Sequence, residues 1–337
     1  MIEIVLFFIG ASLLLYVLFG GADYGAGILE LLPAGRLRET QKNVINEAMG
    51  PVWEANHIWL ILIVVILFMG FPMIFTTMMT ALHIPMVALL LGIVIRGCAF
   101  TFRHYDAIQD PKSQKIYTRL FGLSSLWASV WLGIIVASLT RGHINPEATT
   151  FYTAYIAPWL GLHPLVMGLF VSCIFSFLAS VYLIGETENV DLKRLFTQRA
   201  LASNILIVIF GALVFVSSYR EGGSLLQDFA KNIYSIAAMA VATALFFVLW
   251  FFIRKRQATL TRIVAAGQVT LILLGWYFLY APHALITRQG PIDFFAAAAP
   301  PATQLQLVIA LGVGSLFIFP SLIFLIKVFK TNKTPST

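Results

Sequence analysis

Glu54 and His57 are the two residues whose types and spacing point most directly to chemistry. They stand in the stretch GPVWEANHIWLILIVVILF (residues 50–68), where eleven uncharged residues follow His57. Pro51 marks a helix start, so the helix dipole favours charge on Glu54, whereas the neighbouring tryptophans favour its burial. Opposed influences of this kind allow a carboxyl group to exchange protons near neutral pH. His57 follows three residues later on the same helical face, where it could exchange a proton with Glu54.

A second interpretation of this cluster stays open. Glu54 and His57 could lie at the depth of the lipid headgroups, where charge costs little, with Trp53 and Trp59 forming an ordinary interfacial belt. Asn56 adds another polar group to the same turn. The cluster therefore indicates either a polar route into the membrane or the edge of the bilayer.

Asp23 is a carboxylate inside an apolar, glycine-rich stretch, FGGADYGAG (residues 19–27). An ionised carboxylate within a membrane helix costs about 2.5 to 3.5 kcal/mol on insertion scales, so Asp23 should face the protein interior or a wet cavity. It could belong to a proton or ion path, or it could be satisfied by backbone amides or a neighbouring helix. Glu30 is the third acidic residue that the loops do not account for.

Other reactive side chains carry weaker signals. His83 lies within a predicted span without a second histidine at helical spacing, so a haem-ligand role is the less favoured interpretation. Cys98 and Cys173 lack CxxC spacing, and we predict buried free thiols. The sequence contains no Walker, dinucleotide-binding or nucleophile-elbow motif, and we expect neither a metal site nor a complete catalytic site in this chain.

The elements that position these residues are membrane helices. The chain has 337 residues, of which 59% are apolar and 11% charged, and its mean hydropathy is +0.88. Such a composition is typical of an all-α polytopic membrane protein. The connector GFPMIF favours a tight turn, and the first apolar segment is predicted to be a retained helix. Nine spans are predicted, near residues 4–32, 52–72, 76–100, 118–140, 161–184, 200–218, 233–253, 263–281 and 304–327.

The basic residues give these spans an orientation. The loops after spans 1, 3, 5 and 7 and the C-terminal tail hold 18 of the 22 Lys and Arg residues, and the opposite side holds 4. The positive-inside rule then places the N-terminus outside and the C-terminus in the cytoplasm. The net charge of +7 thus reflects topology, and we expect no nucleic-acid partner.

Two stretches resemble a known family. GGADYGAGILELL, followed by NEAMGPVWEANHIWLI and GFP, resembles the N-terminal signature of subunit II of cytochrome bd-type quinol oxidases. The tail PPATQLQLVIALGVGSLFIFPSLIFLIKVFK, preceded by APHALI, is similar to the last helix of that family and the loop before it. The central third is similar in hydropathy and length more than in motif.

The resemblance implies nine helices arranged as two four-helix bundles plus one peripheral helix, divided here as residues 1–140, 141–281 and 282–337. It implies a haem-bearing partner, subunit I, that carries the quinol site, two haems b and haem d and reduces oxygen to water. This chain would bind no cofactor of its own beyond a structural quinone or lipid. It would stabilise subunit I in a bacterial cytoplasmic membrane, with a small single-helix accessory subunit as a further expected partner.

The resemblance also implies roles for the carboxylates. Glu54 matches the position of an interface carboxylate, and Asp23 matches the second carboxylate of a D-G-x-D motif whose first position is Gly20 here. Together they would line a proton path from the cytoplasm, with His57 as a weaker member and with Trp53, Asn56 and Trp59 shaping the site. A secondary transporter that uses the two acids for coupling, and a structural scaffold in which they are silent, are the alternatives.

Overall fold

The computed structural model describes residues 1–50, 53–106 and 110–331, with the side chains in these ranges except those of residues 54, 55, 322, 323 and 325–331. The described helices are α1 (Ile2–Leu15), α2 (Gly21–Leu31), α3 (Arg38–Met49), α4 (Trp53–Gly70), α5 (Pro72–Ala81), α6 (His83–Tyr105), α7 (Pro111–Thr140), α8 (Leu162–Ile184), α9 (Val190–Arg220), α10 (Leu225–Lys231), α11 (Ile233–Arg254), α12 (Ala258–Tyr280) and α13 (Pro301–Thr331).

The first span is one continuous helical segment, Ile2–Leu31, that is interrupted by a single π-helical turn. This turn covers Tyr16–Gly20 and joins α1 to α2, with the Gly21 N–H donating to the Tyr16 carbonyl. Pro33 ends the segment, because proline disfavours the helical conformation in the residue before it and Leu32 is extended.

The second span contains a sharp bend. Helices α4 and α5 are bent by 116° at Phe71, and Pro72 occupies the first turn of α5. The turn predicted at GFPMIF is therefore confirmed. The predicted span 76–100 is wrong at its start, because α5 ends at Ala81 and α6 begins only at His83. Within the described residues eight helices are long and apolar enough to span a membrane, or up to nine if the bent pair counts as one.

Helices α2, α7 and α8 form the centre of the molecule and pack at van der Waals contact through small residues. A Cβ atom at Gly25 would overlap the backbone carbonyl of Phe175 on α8, and one at Gly27 would overlap the Ser125 side chain on α7. Small residues that allow such close approach are typical of helix interfaces in membranes. Helix α8 also packs on α9 and α12, so it contacts both halves of the chain.

The external loop after α12 contains a short hairpin that the sequence analysis did not predict. Strands β1 (His283–Thr287) and β2 (Gly290–Asp293) pair antiparallel, and Ile144 from the loop after α7 bridges to Thr287. Gly290 adopts φ +128°, a conformation that favours glycine in the tight turn. The two long loops at this end of the bundle therefore form one connected cap.

The start of α13 is fixed to the bend between α4 and α5. The Ala299 N–H and the Gln304 side-chain amide both donate to the Gly70 carbonyl, each at 2.8 Å. These bonds satisfy a helix-terminal carbonyl that has no partner in its own helix.

The thiol predictions are only partly right, since Cys173 is partly buried and Cys98 is exposed.

Candidate functional site

Two buried ion pairs connect the first span to α6. Asp23 pairs with Arg96, and Glu30 pairs with Arg103 at 2.6 Å, with all four side chains at most 3% exposed. The two acids are seven residues apart in sequence, and the two arginines are also seven residues apart. Seven residues correspond to about two helical turns and about 10.5 Å of rise, so each set lies on one helical face. The two parallel helices therefore face each other through a ladder of two matched charge pairs.

The Asp23–Arg96 pair, called the upper pair below, is enclosed by aromatic rings and a hydroxyl. The Arg96 Nε donates to the Ser125 hydroxyl at 3.1 Å, and the guanidinium lies 4.7 Å from the Tyr24 ring centroid and 5.1 Å from that of Phe121. Asp23 is thus satisfied by a neighbouring helix. Its Oδ2 atom has no hydrogen-bond donor among the residues that the structure describes.

The Glu30–Arg103 pair, called the lower pair below, contacts polar groups from two other helices. Arg103 also donates to the Asn46 side-chain carbonyl on α3. The Arg103 carbonyl accepts from the Gln114 amide at 3.2 Å, and Lys42 donates to the same glutamine at 3.3 Å. Polar groups from α3 and α7 therefore hold the backbone and the side chain of Arg103, whose guanidinium pairs with Glu30.

Arg199 closes the same end of the first span from the opposite side. It donates to the backbone carbonyls of Leu29 and Pro33, at 3.2 and 3.1 Å, and to the Gln41 side chain at 3.0 Å. The guanidinium therefore satisfies carbonyls that the end of α2 leaves without helical partners. Its position ties α9 to the loop after the first span.

His57 lies beside the upper pair, although it does not touch Asp23. Its Nδ1 atom lies 2.9 Å from the Trp53 carbonyl, and its ring centroid lies 6.3 Å from that of Tyr24, the residue after Asp23. The side chain of Glu54 lies outside the described part of the structure. Its backbone belongs to α4, three residues before His57.

The residues predicted to shape the site have different surroundings. Trp53 is half-buried and packs on Phe100 with ring centroids 5.4 Å apart. Asn56 is buried, and its amide nitrogen has no partner among the described residues. Trp59 is buried too, but its ring contact is with Phe319 on α13, at 6.1 Å.

His83 does not lie inside a span as predicted. It is the first residue of α6, its side chain is exposed, and its Nδ1 atom lies 2.9 Å from the Thr80 carbonyl. Its ring meets Tyr155 edge-on, with centroids 4.9 Å apart. Across the described ranges no group of three or more His, Cys, Asp or Glu side chains could hold a metal ion.

Sequence reasoning missed the arginines of the site. Arg96, Arg103 and Arg199 were counted among the basic loop residues, whereas the structure buries all three. The shared seven-residue spacing of Asp23 with Glu30 and of Arg96 with Arg103 was the signal that could have revealed them. Buried charges are found paired, so two acids at that spacing predict two cations at the same spacing on a parallel neighbour.

A polar cavity of about 120 Å³ lies at the other end of the bundle, beneath the cap formed by the hairpin and the loop after α7. Glu221 accepts from the Leu162 N–H at 2.6 Å and forms an ion pair with Arg141 at 2.9 Å. His143 also lines the cavity, and its pKa is lowered, first by burial and then by the charges of Arg141 and Arg288. The Glu221 carboxylate satisfies the start of α8.

The buried ladder is the arrangement with the clearest chemical capacity. Each carboxylate forms an ion pair with a buried arginine, and the arginine offsets part of the cost of burying the acid. Hydrogen-bonding groups reach Glu30 from the end of the span at which α3 lies, and Asp23 lies two helical turns further along. The first span can therefore hold charge and protons at two depths of the bilayer.

Comparison with known proteins gives a consistent result over the whole chain. The profile of the family described as "Cytochrome bd terminal oxidase subunit II" matches residues 1–329. The "Cytochrome bd ubiquinol oxidase subunit 2" of Bacillus subtilis is 27% identical over 198 residues, which are 58% of this chain and 55% of that protein. The "Putative cytochrome bd menaquinol oxidase subunit II" of the same organism is 20% identical over 333 residues, 95% of this chain and 92% of that protein.

A solved structure shares the fold. It is the bd oxidase from Geobacillus thermodenitrificans, one chain of which aligns with a TM-score of 0.70 and 18% identity. The alignment covers 96% of this chain and 98% of the other. The architecture predicted from apolar runs is thus that of a known membrane protein.

Proposed function

Because the chain belongs to the cytochrome bd terminal oxidase subunit II family, we propose that it is the haem-poor subunit of a heterodimeric quinol oxidase. A partner, subunit I, carries two haems b and haem d, oxidises quinol and reduces oxygen to water. This chain stabilises that partner and lines its proton supply. The match of the family profile to residues 1–329 supports this assignment.

The observation that carries the proton-supply role is the burial of Asp23 in the first span. Its pairing with Arg96 offsets part of the cost of burying a carboxylate at a depth where a lone charge is unfavourable. Glu54 stands at the start of α4, and His57 of the same helix faces Tyr24, so the route runs between α2 and α4. Trp53 and Asn56 shape its walls.

The sides of the membrane at which protons are taken up and released determine whether the oxidase separates charge. Oxygen reduction consumes protons, and when these enter from the cytoplasm while quinol oxidation releases protons outside, charge is separated without a pump. The N-terminus lies outside and the C-terminus in the cytoplasm of a bacterial inner membrane. The excess of basic residues in alternate loops supports this orientation even after the buried arginines are set aside.

The haems belong to the partner subunit in this proposal. His57 and His83 each contact a backbone carbonyl of the preceding turn, and His163 lies 3.2 Å from the Val214 carbonyl. Apolar helix faces leave room for a structural quinone or lipid and for a small single-helix accessory subunit.

A reduced-minus-oxidised absorption spectrum tests the assignment. The complex is isolated from native membranes through a tag on this chain, and the spectrum is repeated after its subunits are separated. Haem b and haem d bands that leave with a second large subunit are the expected result. An intact complex without haem would overturn the assignment in favour of a transporter, and haem retained by this chain alone would place a ligand here, with His83 the first residue to replace.

A further inference from the structure

The first span contains a second polar element, a pair of buried tyrosines. The hydroxyls of Tyr16 and Tyr24 are 3.1 Å apart and hydrogen-bonded, and both residues are 1% exposed. Their Cα atoms are eight residues apart, which is about 12 Å of helical rise. One hydrogen bond therefore joins the tips of two side chains whose backbone positions are about two helical turns apart.

Tyr24 places this pair next to the candidate proton path. It directly follows Asp23 in sequence, and the Arg96 guanidinium that pairs with Asp23 lies 4.7 Å from its ring centroid. The His57 ring meets its edge at 6.3 Å. Tyr24 thus contacts both the Arg96 guanidinium and the His57 ring, and its hydroxyl is hydrogen-bonded to that of Tyr16.

Tyr16 also occupies the space that a side chain at Gly20 would need. A Cβ atom at Gly20 would lie 3.1 Å from two carbon atoms of the Tyr16 ring, closer than nearly all real Cβ contacts. The π-helical turn over Tyr16–Gly20 brings the ring across this face of the helix. Position 20 is where the family resemblance led us to expect a carboxylate, and a side chain there would require the Tyr16 ring to shift by a few tenths of an ångström.

We propose that the Tyr16 and Tyr24 hydroxyls relay protons in place of that carboxylate, passing them from Tyr24, beside the Asp23–Arg96 pair, to Tyr16. A phenol hydroxyl donates one hydrogen and accepts others, so the pair can be oriented in either direction. When Tyr24 receives a proton on its oxygen, its own hydroxyl proton passes to Tyr16, and the Tyr16 proton leaves to the next acceptor. Both hydroxyls then turn back, and neither tyrosine remains ionised.

This inference rests on the proposed function, and its test separates the two. In the assembled oxidase, Tyr16→Phe, Tyr24→Phe and the double variant are compared with Ser180→Ala. The control removes a buried hydroxyl that donates only within α8, to the Ser176 carbonyl at 2.8 Å. The readouts are the haem spectrum, quinol-driven oxygen consumption and the ratio of rates in H₂O and D₂O.

The expected result has three parts. Each Tyr→Phe variant keeps the haem spectrum and lowers turnover at least about fivefold, because the proton must take a slower route, while Ser180→Ala stays within twofold. The double variant is no slower than either single variant, since one relay fails as a unit. The ratio of the rate in H₂O to the rate in D₂O rises, and a loss of packing would not cause that rise.

Other outcomes overturn the relay. Turnover unchanged in all three variants, or reduced with an unchanged isotope ratio, assigns the pair to packing only. Should a single variant fail to assemble because one hydroxyl is left unpaired, the double variant, which leaves none, decides the matter. If the wild-type complex contains haem and consumes oxygen, any of these results rejects the relay alone, whereas a haem-free wild-type complex rejects the proposed function.

Discussion

Replacing Arg96 by methionine should show how strongly the upper ion pair holds α2 to α6. The variant keeps most of the side-chain volume but leaves Asp23 buried without its partner, and breaking a buried pair in this way costs about 3 to 5 kcal/mol. The carboxylate can escape by taking up a proton. From an ordinary carboxyl pKa of about 3.9, protonation costs about 4 kcal/mol at pH 7, which limits the part of the penalty that comes from the unpaired charge.

This limit gives the variant a distinctive pH dependence. Protonation of a free carboxylate costs only about 1.5 kcal/mol at pH 5, so the deficit of Arg96→Met relative to the natural protein should shrink as the pH falls. The double variant Asp23→Leu/Arg96→Met buries no charge and should unfold within about 1 kcal/mol of the natural protein, because apolar replacements of buried ion pairs are often neutral.

The assay is equilibrium unfolding of the purified complex in mixed detergent micelles with increasing SDS, followed by far-UV circular dichroism at pH 7 and pH 5. The reasoning predicts a large loss for Arg96→Met, recovery in the double variant and a smaller loss at the lower pH. It would be refuted by a double variant as unstable as the single one, or by an Arg96→Met deficit that does not change with pH.

Three further predictions concern other parts of the structure. Arg103→Met should lose about 3 kcal/mol or more in the same assay, while Lys193→Met, at an exposed pair, should change by less than about 0.5 kcal/mol. Gly25→Ala should prevent close packing and cost about 3 kcal/mol, whereas Gly10→Ala, with open space around it, should be neutral or stabilising; the yield of assembled complex measures both. Because the folded state lowers the pKa of His143, stability should fall as the pH drops from 7 to 5, and a shallower fall in His143→Gln would show it.

The sequence predicted much of the fold because membrane burial restricts what an apolar run can be. Long apolar runs must satisfy their backbone within a helix, so the spans and the turn before Pro72 were readable. The start of the third span was not, since α5 is apolar enough to extend either neighbour and only the break at Leu82 separates it from α6. Hydropathy indicates which residues are buried in the membrane, and it does not indicate where the chain changes direction between two apolar helices.

The candidate site was predicted in part for a similar reason. Asp23 and Glu30 were conspicuous because a charge in an apolar run needs an explanation, but their cations lay near the end of another span, where arginine is ordinary. The partner of a buried charge is fixed by packing between distant segments. The Tyr16 and Tyr24 pair could not be predicted, because tyrosine is common in membrane helices. Only the structure shows that the two hydroxyls are in contact.

The turnover of the assembled oxidase carrying Glu54→Gln tests the central claim most directly. The substitution keeps the size of the side chain and removes its ability to carry a proton, and Glu188→Gln, at a side chain 97% exposed, is the matched control. The account predicts an unchanged haem spectrum with oxygen consumption reduced at least about tenfold, a barrier increase of about 1.4 kcal/mol, and no effect of the control. Oxygen consumption equal to that of the natural complex would contradict a proton supply through this chain's carboxylates.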